Sequence, residues 1–315
     1  MMEPAASKPI VSIIVALGRD SAYLDEALRS VREQTFQNWD LLIVDNGSRH
    51  PERVASAIAD DARMKMITID RSATAGLARN IGVAQTSADL ITFLDDDDVW
   101  ERRRLEHHVA VHRKHPEAPA SFSGYWHMTA TGEQFGADWR SRQTTASEIL
   151  RGAAPTPLGP TLMIRRADFT AIGGHSPEIP ILVDFELGLR LAMRGDLIYL
   201  DELLVGYRRH DTNMTSTAPS NVRLRRRAME DMIKRQQWAA LGRNSPDTAS
   251  LFEERLRRFW RSETHEAGAE VPRALRRGRI ADAGKSAAWA IRRDPVSFMT
   301  GVFDTVASAL VRRAR

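Results

Sequence analysis

The densest chemistry in this chain is four consecutive carboxylates, Asp95, Asp96, Asp97 and Asp98. Adjacent like charges repel unless a cation is held among them, and a hard divalent ion on carboxylate ligands is a common device for handling phosphate groups. Directly before the run stands Leu90-Ile91-Thr92-Phe93-Leu94, five mostly apolar residues that predict a short buried strand. Carboxylates emerging at the end of such a strand lie where parallel α/β sheets take their ligands. A solvated acidic loop is the competing reading. The strand feeding straight into the run favours a metal or phosphate site.

The elements that must position these residues follow from the pattern on either side. Residues 10–16 (Ile-Val-Ser-Ile-Ile-Val-Ala) predict a buried first strand, and Asp20 and Ser21 are candidate caps for a helix with apolar positions Leu24, Ala27, Leu28 and Val31. A second strand is expected at 41–44, running into Asp45-Asn46-Gly47-Ser48, and Pro51 suits the first turn of the next helix. A third strand at 64–69, a third helix at 76–84 and the fourth strand at 90–94 complete an alternation that predicts the α/β class, with a doubly wound, mostly parallel sheet. Further strands are expected at 122–128, 161–164 and 203–207, and Thr145-Ala146-Ser147-Glu148 has the form of a capping box. Asp184 opens a helix, where a carboxylate would at the least stabilise the helix dipole.

Several chemistries are poor readings. The turn after the first strand, Ala16-Leu17-Gly18-Arg19-Asp20, lacks the three glycines of a dinucleotide fingerprint, and neither Gly-Lys-Ser nor Gly-Lys-Thr occurs. There are no cysteines, which removes disulfides, thiolate metal sites and a cysteine nucleophile. Among His107, His108, His112 and His115, residues 108 and 112 lie one helical turn apart, as zinc ligands would. The Arg- and Lys-rich surroundings and the closing Pro116 instead predict a solvated face. Trp100 could stack on a sugar ring or anchor its loop in the core.

Taken in order, Val11-Ser12-Ile13-Ile14-Val15, Leu41-Leu42-Ile43-Val44-Asp45-Asn46-Gly47-Ser48, Ala78-Arg79-Asn80-Ile81-Gly82 and Phe93-Leu94-Asp95-Asp96-Asp97-Asp98 resemble the motifs of family 2 glycosyltransferases. Val183-Asp184-Phe185-Glu186-Leu187-Gly188-Leu189-Arg190-Leu191 is similar to that family's segment carrying the catalytic base, and Tyr207-Arg208-Arg209-His210 to its closing motif. The resemblance runs from about Ile10 to Thr215 and implies a GT-A fold with inverting transfer of a sugar from a nucleotide diphosphate donor. It implies that Ala16, Asp45, Asn46, Arg79, Asp95 and Asp96 bind the donor, with Asp45 and Asn46 facing base and ribose, Arg79 the base or diphosphate, and Asp95 the ribose. It implies Asp97 and His210 at a Mg2+ or Mn2+ ion and Asp184 as the base; a surface histidine is the plainer reading of His210. Gly18-Arg19 stands where relatives have a Tyr-Asn pair, Asn46 replaces a second aspartate, and Val183 replaces a glutamate beside the base. The nucleotide therefore stays open among UDP, dTDP and GDP. The Gln-x-x-Arg-Trp element of processive relatives is absent, so single addition is expected. Two alternatives stand beside this reading. Asp95-Asp96-Asp97-Asp98-Val99 also fits the Asp-x-Asp-x-Val pattern of haloacid dehalogenase-like phosphohydrolases, and Asn46 with Val183 would suit a catalytically silent nucleotide-sugar binding module.

Composition sets the frame. The chain has 315 residues, 43% hydrophobic and 27% charged, as in a soluble globular protein. From Pro219 onward 21 Lys plus Arg face 11 Asp plus Glu, so this part carries about +10 and the rest about −6. The expected division is a GT-A domain over residues 8–218 and a helical, basic C-terminal region over 219–315. Helices are predicted at 223–241, 248–264, 272–279, 281–292 and 295–315, with Leu251, Phe252, Leu256, Phe259 and Trp260 as a core stripe. The last of these could lie in an anionic membrane interface, or fold back on its own domain or on a second subunit of a homo-oligomer. Sparse aromatics among the arginines argue against nucleic acid. With no apolar run in the first nine residues the expected location is cytoplasmic, peripheral at the inner face of the membrane if the basic tail binds lipid. The acceptor implied by the family is a cell-surface glycan or its lipid carrier.

Overall fold

The computed structural model describes residues 8–70, 73–177, 179, 182–211, 213 and 219–313. Its first half is built from short, nearly continuous apolar runs. Strands Val11–Leu17 (β1), Trp39–Asp45 (β2), Met64–Thr68 (β3) and Leu90–Phe93 (β4) alternate with helices Leu24–Arg32 (α1), Pro51–Ile58 (α2) and Ala75–Ala84 (α3). The pairs β1 with β2, β1 with β4 and β2 with β3 are all parallel. Their carboxyl ends therefore share one edge of the sheet, and Asp45 and the run from Asp95 meet there.

The second half completes the sheet differently. It comprises Val99–Trp100 (β5), Arg104–Lys114 (α4), Ala120–Met128 (β6), Ala146–Leu150 (α5), Leu162–Arg165 (β7), Arg166–Ala171 (α6), Val183–Ala192 (α7) and Ile198–Arg208 (β8). The eight strands lie in the order β3-β2-β1-β4-β7-β6-β8-β5. β7 runs antiparallel between β4 and β6, and β6 pairs parallel with β8 through register shifts around Gly124. β8 also brings Arg208 back beneath the acidic run, since its amide donates to Asp98.

Local expectations met mixed outcomes. The capping box at α5 forms in both directions, with Thr145 N–H donating to Glu148 (3.0 Å) and Glu148 N–H to Thr145 Oγ1 (3.2 Å). Asp20 and Ser21 do not cap α1. Tyr23 occupies that position without a side-chain cap bond, while Asp20 accepts from the amides of Arg49 and His50 and Ser21 donates to the Asp96 carbonyl. The solvated histidine face is also overturned, because His108 and His112 are 0% and 3% exposed. Both turn inward to Ser121, and His112 also reaches the Met163 carbonyl. Burial pushes His108 well below its ordinary range and His112 down to about 4, so both are neutral. Trp100 is core: it is buried, with the Arg104 guanidinium 4.0 Å from its ring centroid.

The chain divides into two units, Met1–Ile149 with Ala154–Asn221, and Leu150–Ala153 with Val222–Arg315. The second unit is helical: Pro219–Gly242 (α8), Pro246–Arg276 (α9), Ile280–Ile291 (α10) and Pro295–Arg313 (α11). The break expected between 264 and 272 does not occur, for α9 runs through Pro272. Proline there removes one helical hydrogen bond, and packing of α10 and α11 along α9 outweighs that loss. Of the predicted stripe, Phe252 and Leu256 are buried and Leu251, Phe259 and Trp260 partly so. Phe298 of α11 clusters with Ala267 and Ala290, so this last helix folds back within its own unit.

Candidate active site

The acidic run leaves β4 and turns at once, with the Asp98 amide bonded to the Asp95 carbonyl. That turn aims three carboxylates at a common point: oxygens of Asp95, Asp97 and Asp98 lie within 4.8 Å of one another. Asp98 is completely buried, and although one of its oxygens accepts from the Arg208 amide (3.0 Å), the other has no partner. Burial and the neighbouring Asp95 and Asp97 push the Asp98 carboxyl well up. Asp97 moves upward too, first through burial and then through Asp95, and Asp96 rises to about 6 through burial and Asp97. Crowded, dehydrated carboxylates with an unused buried oxygen are a donor set that suits a hard divalent cation.

His210 belongs to this cluster and is not a surface histidine. Its side chain is 7% exposed, its Nε2 stands 2.9 Å from Asp97 Oδ2, and its ring stacks on Tyr23 at 5.2 Å between centroids. Beneath it, Arg208 binds the Asp97 carbonyl (2.8 Å), the Ala130 carbonyl (3.1 Å) and Glu26 (2.6 Å). Neither Asp98 nor Arg208 was singled out by the sequence reading. Asp98 was visible as the fourth member of the run, and Arg208 within the closing motif, but their pairing spans 110 residues and no local pattern shows it.

Asp184 arrives from a different part of the chain. It lies in the first turn of α7, after Leu182, whose φ of 61° is left-handed and unfavourable for a branched side chain. A 3-10 turn at Gly159–Thr161 meets it, and the Gly159 backbone is hydrogen-bonded to its carboxylate. A methyl group on Gly159 would overlap that carboxylate. Arg79, 6% exposed on α3, joins the two halves of the site: its Nη2 donates to Asp95 Oδ1 (2.6 Å) and its Nη1 to Asp184 Oδ1 (3.3 Å). Burial pushes the Asp184 carboxyl up, with Arg79 opposing. The guanidinium stays charged, because Asp95 and Asp184 outweigh its own burial. With 24% of its side chain exposed, Asp184 is open to a ligand while held in place.

At the end of β2, Asp45 is turned into its own loop. Its Oδ1 accepts from the amides of Gly47 (3.0 Å) and Ser48 (2.8 Å), and its Oδ2 from the Ser48 hydroxyl (2.5 Å). Asn46 donates to the Ala73 carbonyl, while its buried Oδ1 has no partner. Ala16 lies on β1 beside Val44, at the same end of the sheet. The structure thus brings Arg79, Asp95, Asp97, Asp98, Asp184 and His210 into one bonded network and places Asp45, Asn46 and Ala16 at the neighbouring strand ends.

Comparison with known proteins fits this geometry. Residues 12–173 match the family described as Glycosyl transferase family 2, and the chain belongs to that family. It is therefore a glycosyltransferase, and the phosphohydrolase alternative falls. It is 26% identical over 213 residues to TuaG of Bacillus subtilis (strain 168), a glycosyltransferase named for teichuronic acid biosynthesis; the match covers 66% of this chain and 82% of TuaG. It is 32% identical over 102 residues to the Escherichia coli UDP-Glc:alpha-D-GlcNAc-diphosphoundecaprenol beta-1,3-glucosyltransferase WfgD, covering 32% of this chain and 40% of WfgD. The structure of S. aureus TarS 1-349 in complex with UDP-GlcNAc is similar in fold, with a TM-score of 0.58 and 15% identity over 88% of this chain and 90% of that one. Its UDP complex gives a TM-score of 0.56 over 71% and 65%. The fold is thus of the GT-A kind expected from the sequence.

Proposed function

We propose that this chain transfers a sugar, with inversion, from a nucleoside diphosphate donor to a hydroxyl of a glycan or lipid-linked acceptor in cell-surface polysaccharide synthesis. The observation that carries the reading is the double contact of Arg79, which ties the acidic run to the carboxylate of Asp184. The names of TuaG and WfgD support the acceptor class. UDP is the first nucleotide to try, since the TarS complexes hold UDP and UDP-GlcNAc.

In this reading Asp97, Asp95, Asp98 and His210 would hold Mg2+ or Mn2+, which when bound neutralises charge on the donor diphosphate. Asp184 takes the proton from the acceptor hydroxyl as that oxygen forms its bond to the anomeric carbon. The bond to the diphosphate breaks as the new one forms, so a single displacement inverts the configuration. Arg79 keeps Asp184 ionised by direct charge pairing and fixes its position against Asp95. Asp45 shapes the loop after β2, and Asn46 Oδ1 offers an acceptor for a donor N–H or hydroxyl.

Thermal stability measured against UDP, dTDP and GDP, with and without manganese, tests donor binding. Ligand at about a hundred times its dissociation constant stabilises by roughly 2.7 kcal/mol. A manganese-dependent shift with one nucleotide, lost in Asp97→Ala, is expected; no shift with any of them would refute the reading. Asp184→Asn should keep that shift and lose turnover by about a hundredfold or more. Donor binding by the wild type with no turnover on any glycan or lipid-linked acceptor would refute the proposed acceptor class.

A further inference from the structure

We propose that the helical unit docks on an anionic lipid bilayer through the outer face of α11. The helix carries two apolar stripes. Phe298, Gly301 and Thr305, spaced by three and four residues, are buried toward α9, where Gly268 and Gly301 let the two backbones come together. On the opposite side Val296, Met299, Phe303 and Val306 repeat the same spacing and are 75%, 45%, 64% and 43% exposed. A helix that needs only one apolar face to pack has a second aimed at solvent, and exposed stripes of this kind mark interaction surfaces.

Charge selects the occupant. α9 and α11 run antiparallel, since Phe298 meets Gly268 and Gly301 meets His265 further back along α9. The end of α9 bearing Arg273, Arg276 and Arg277 therefore lies at the end where α11 begins, and Arg292 stands just ahead of Val296. All four arginines are exposed and enter no ion pair among the described residues. Among the described residues, Asp294 is engaged with Ser297, Asp304 with His265, and Glu230 with Lys234 and Arg293. An apolar stripe with unpaired cations gathered at the end where it begins fits a surface that is apolar below and anionic above. Spanning is excluded for the described helices, none of which is long and apolar enough to cross a membrane.

Full-length protein is sedimented with vesicles of phosphatidylcholine alone, and of phosphatidylcholine mixed with phosphatidylglycerol, at low and high salt. No donor or acceptor is present, so the outcome does not depend on the transfer reading. Retention by the anionic vesicles, weakened by salt and nearly absent on neutral ones, is expected. The pair Arg276→Gln and Arg277→Gln should lower affinity roughly tenfold or more, as should Phe303→Ser with Val306→Ser. Circular dichroism melts of both variants check that the helices persist; Met299→Ser with Val296→Ser is the second apolar variant if the first unfolds. No retention by anionic vesicles, or equal retention by neutral ones, would overturn the proposal. So would a wild-type dimer in light scattering that Phe303→Ser dissociates, for the stripe would then join two copies of this chain.

Discussion

Arg79 has the most to lose at the scale of single residues. It is buried, yet charged, only because Asp95 and Asp184 face it from opposite sides. Truncating it would leave two carboxylates without their counter-charge, the costly half of a buried ion pair. Arg79→Met should therefore lower kcat by roughly a hundredfold. It should also move the acidic limb of the pH-rate profile to higher pH, because Arg79 opposes the burial that raises Asp184. The sign is fixed by the role: a base works ionised, so a higher pKa means that activity is lost sooner on acidification. An unmoved acidic limb would show that Asp184 is not the group that titrates. The participants in this contact were legible one by one, as strand-end and helix-start residues in a family-like order. Their mutual distances were not, since Arg79 and Asp184 stand 105 residues apart and only the packing of α3 against the start of α7 brings them together.

Among the elements, the short turn at Gly159–Thr161 bears on the site through its contact with Asp184. Arg104, wholly buried, donates to the carbonyls of Pro160 (2.9 Å) and Leu162 (3.1 Å) and to the Thr92 hydroxyl (3.0 Å), and so fastens this turn to β4. Burial without a carboxylate partner lowers the Arg104 pKa to about 9, which makes it an expensive anchor. What the anchor secures is the space at Gly159 that the Asp184 carboxylate fills. Gly159→Ala should push that carboxylate aside. A shift of about 1 Å in a reacting group can cost roughly a hundredfold in rate, so kcat should fall by about that factor while the melting temperature changes little. An equal fall in melting temperature would instead mean that the turn is structural. Sequence pattern marked 161–164 as a strand but gave the preceding turn no role, because a glycine required by a neighbour's side chain leaves no local signature. β1, β2 and β4 were legible for the opposite reason: buried on both faces, they are mostly apolar runs, while β3, with Lys65 and Thr68 exposed, was marked by its place in the alternation. The antiparallel direction of β7 was not legible, since strand direction depends on the path of the connection rather than on the residues within the strand.

At the scale of the whole molecule, stability toward acid is a contest between two sets of buried groups. His108 and His112 are held neutral, and His112 takes up a proton at about 4 when folded against 6.5 when unfolded. Between those values the unfolded chain binds more protons, so stability falls as pH drops through this window. The acidic run acts in the other direction. Asp96 is raised to about 6, so the folded chain takes up its proton first and gains stability over part of the same range. The two effects oppose each other in the wild type and separate in variants. His112→Gln keeps a donor for the Met163 carbonyl and removes the titration. Relative to wild type, it should gain roughly 3 kcal/mol as pH falls from 7 to 4, the free energy of a pKa difference of this size. Urea unfolding at both pH values measures the gain. If the two proteins lose stability in parallel, His112 is protonated in the folded state and its inward packing is wrong. Adding manganese supplies the complementary half of the comparison. A bound cation keeps the carboxylates ionised, which cancels their gain and should leave the wild type visibly more acid-sensitive than it is without metal.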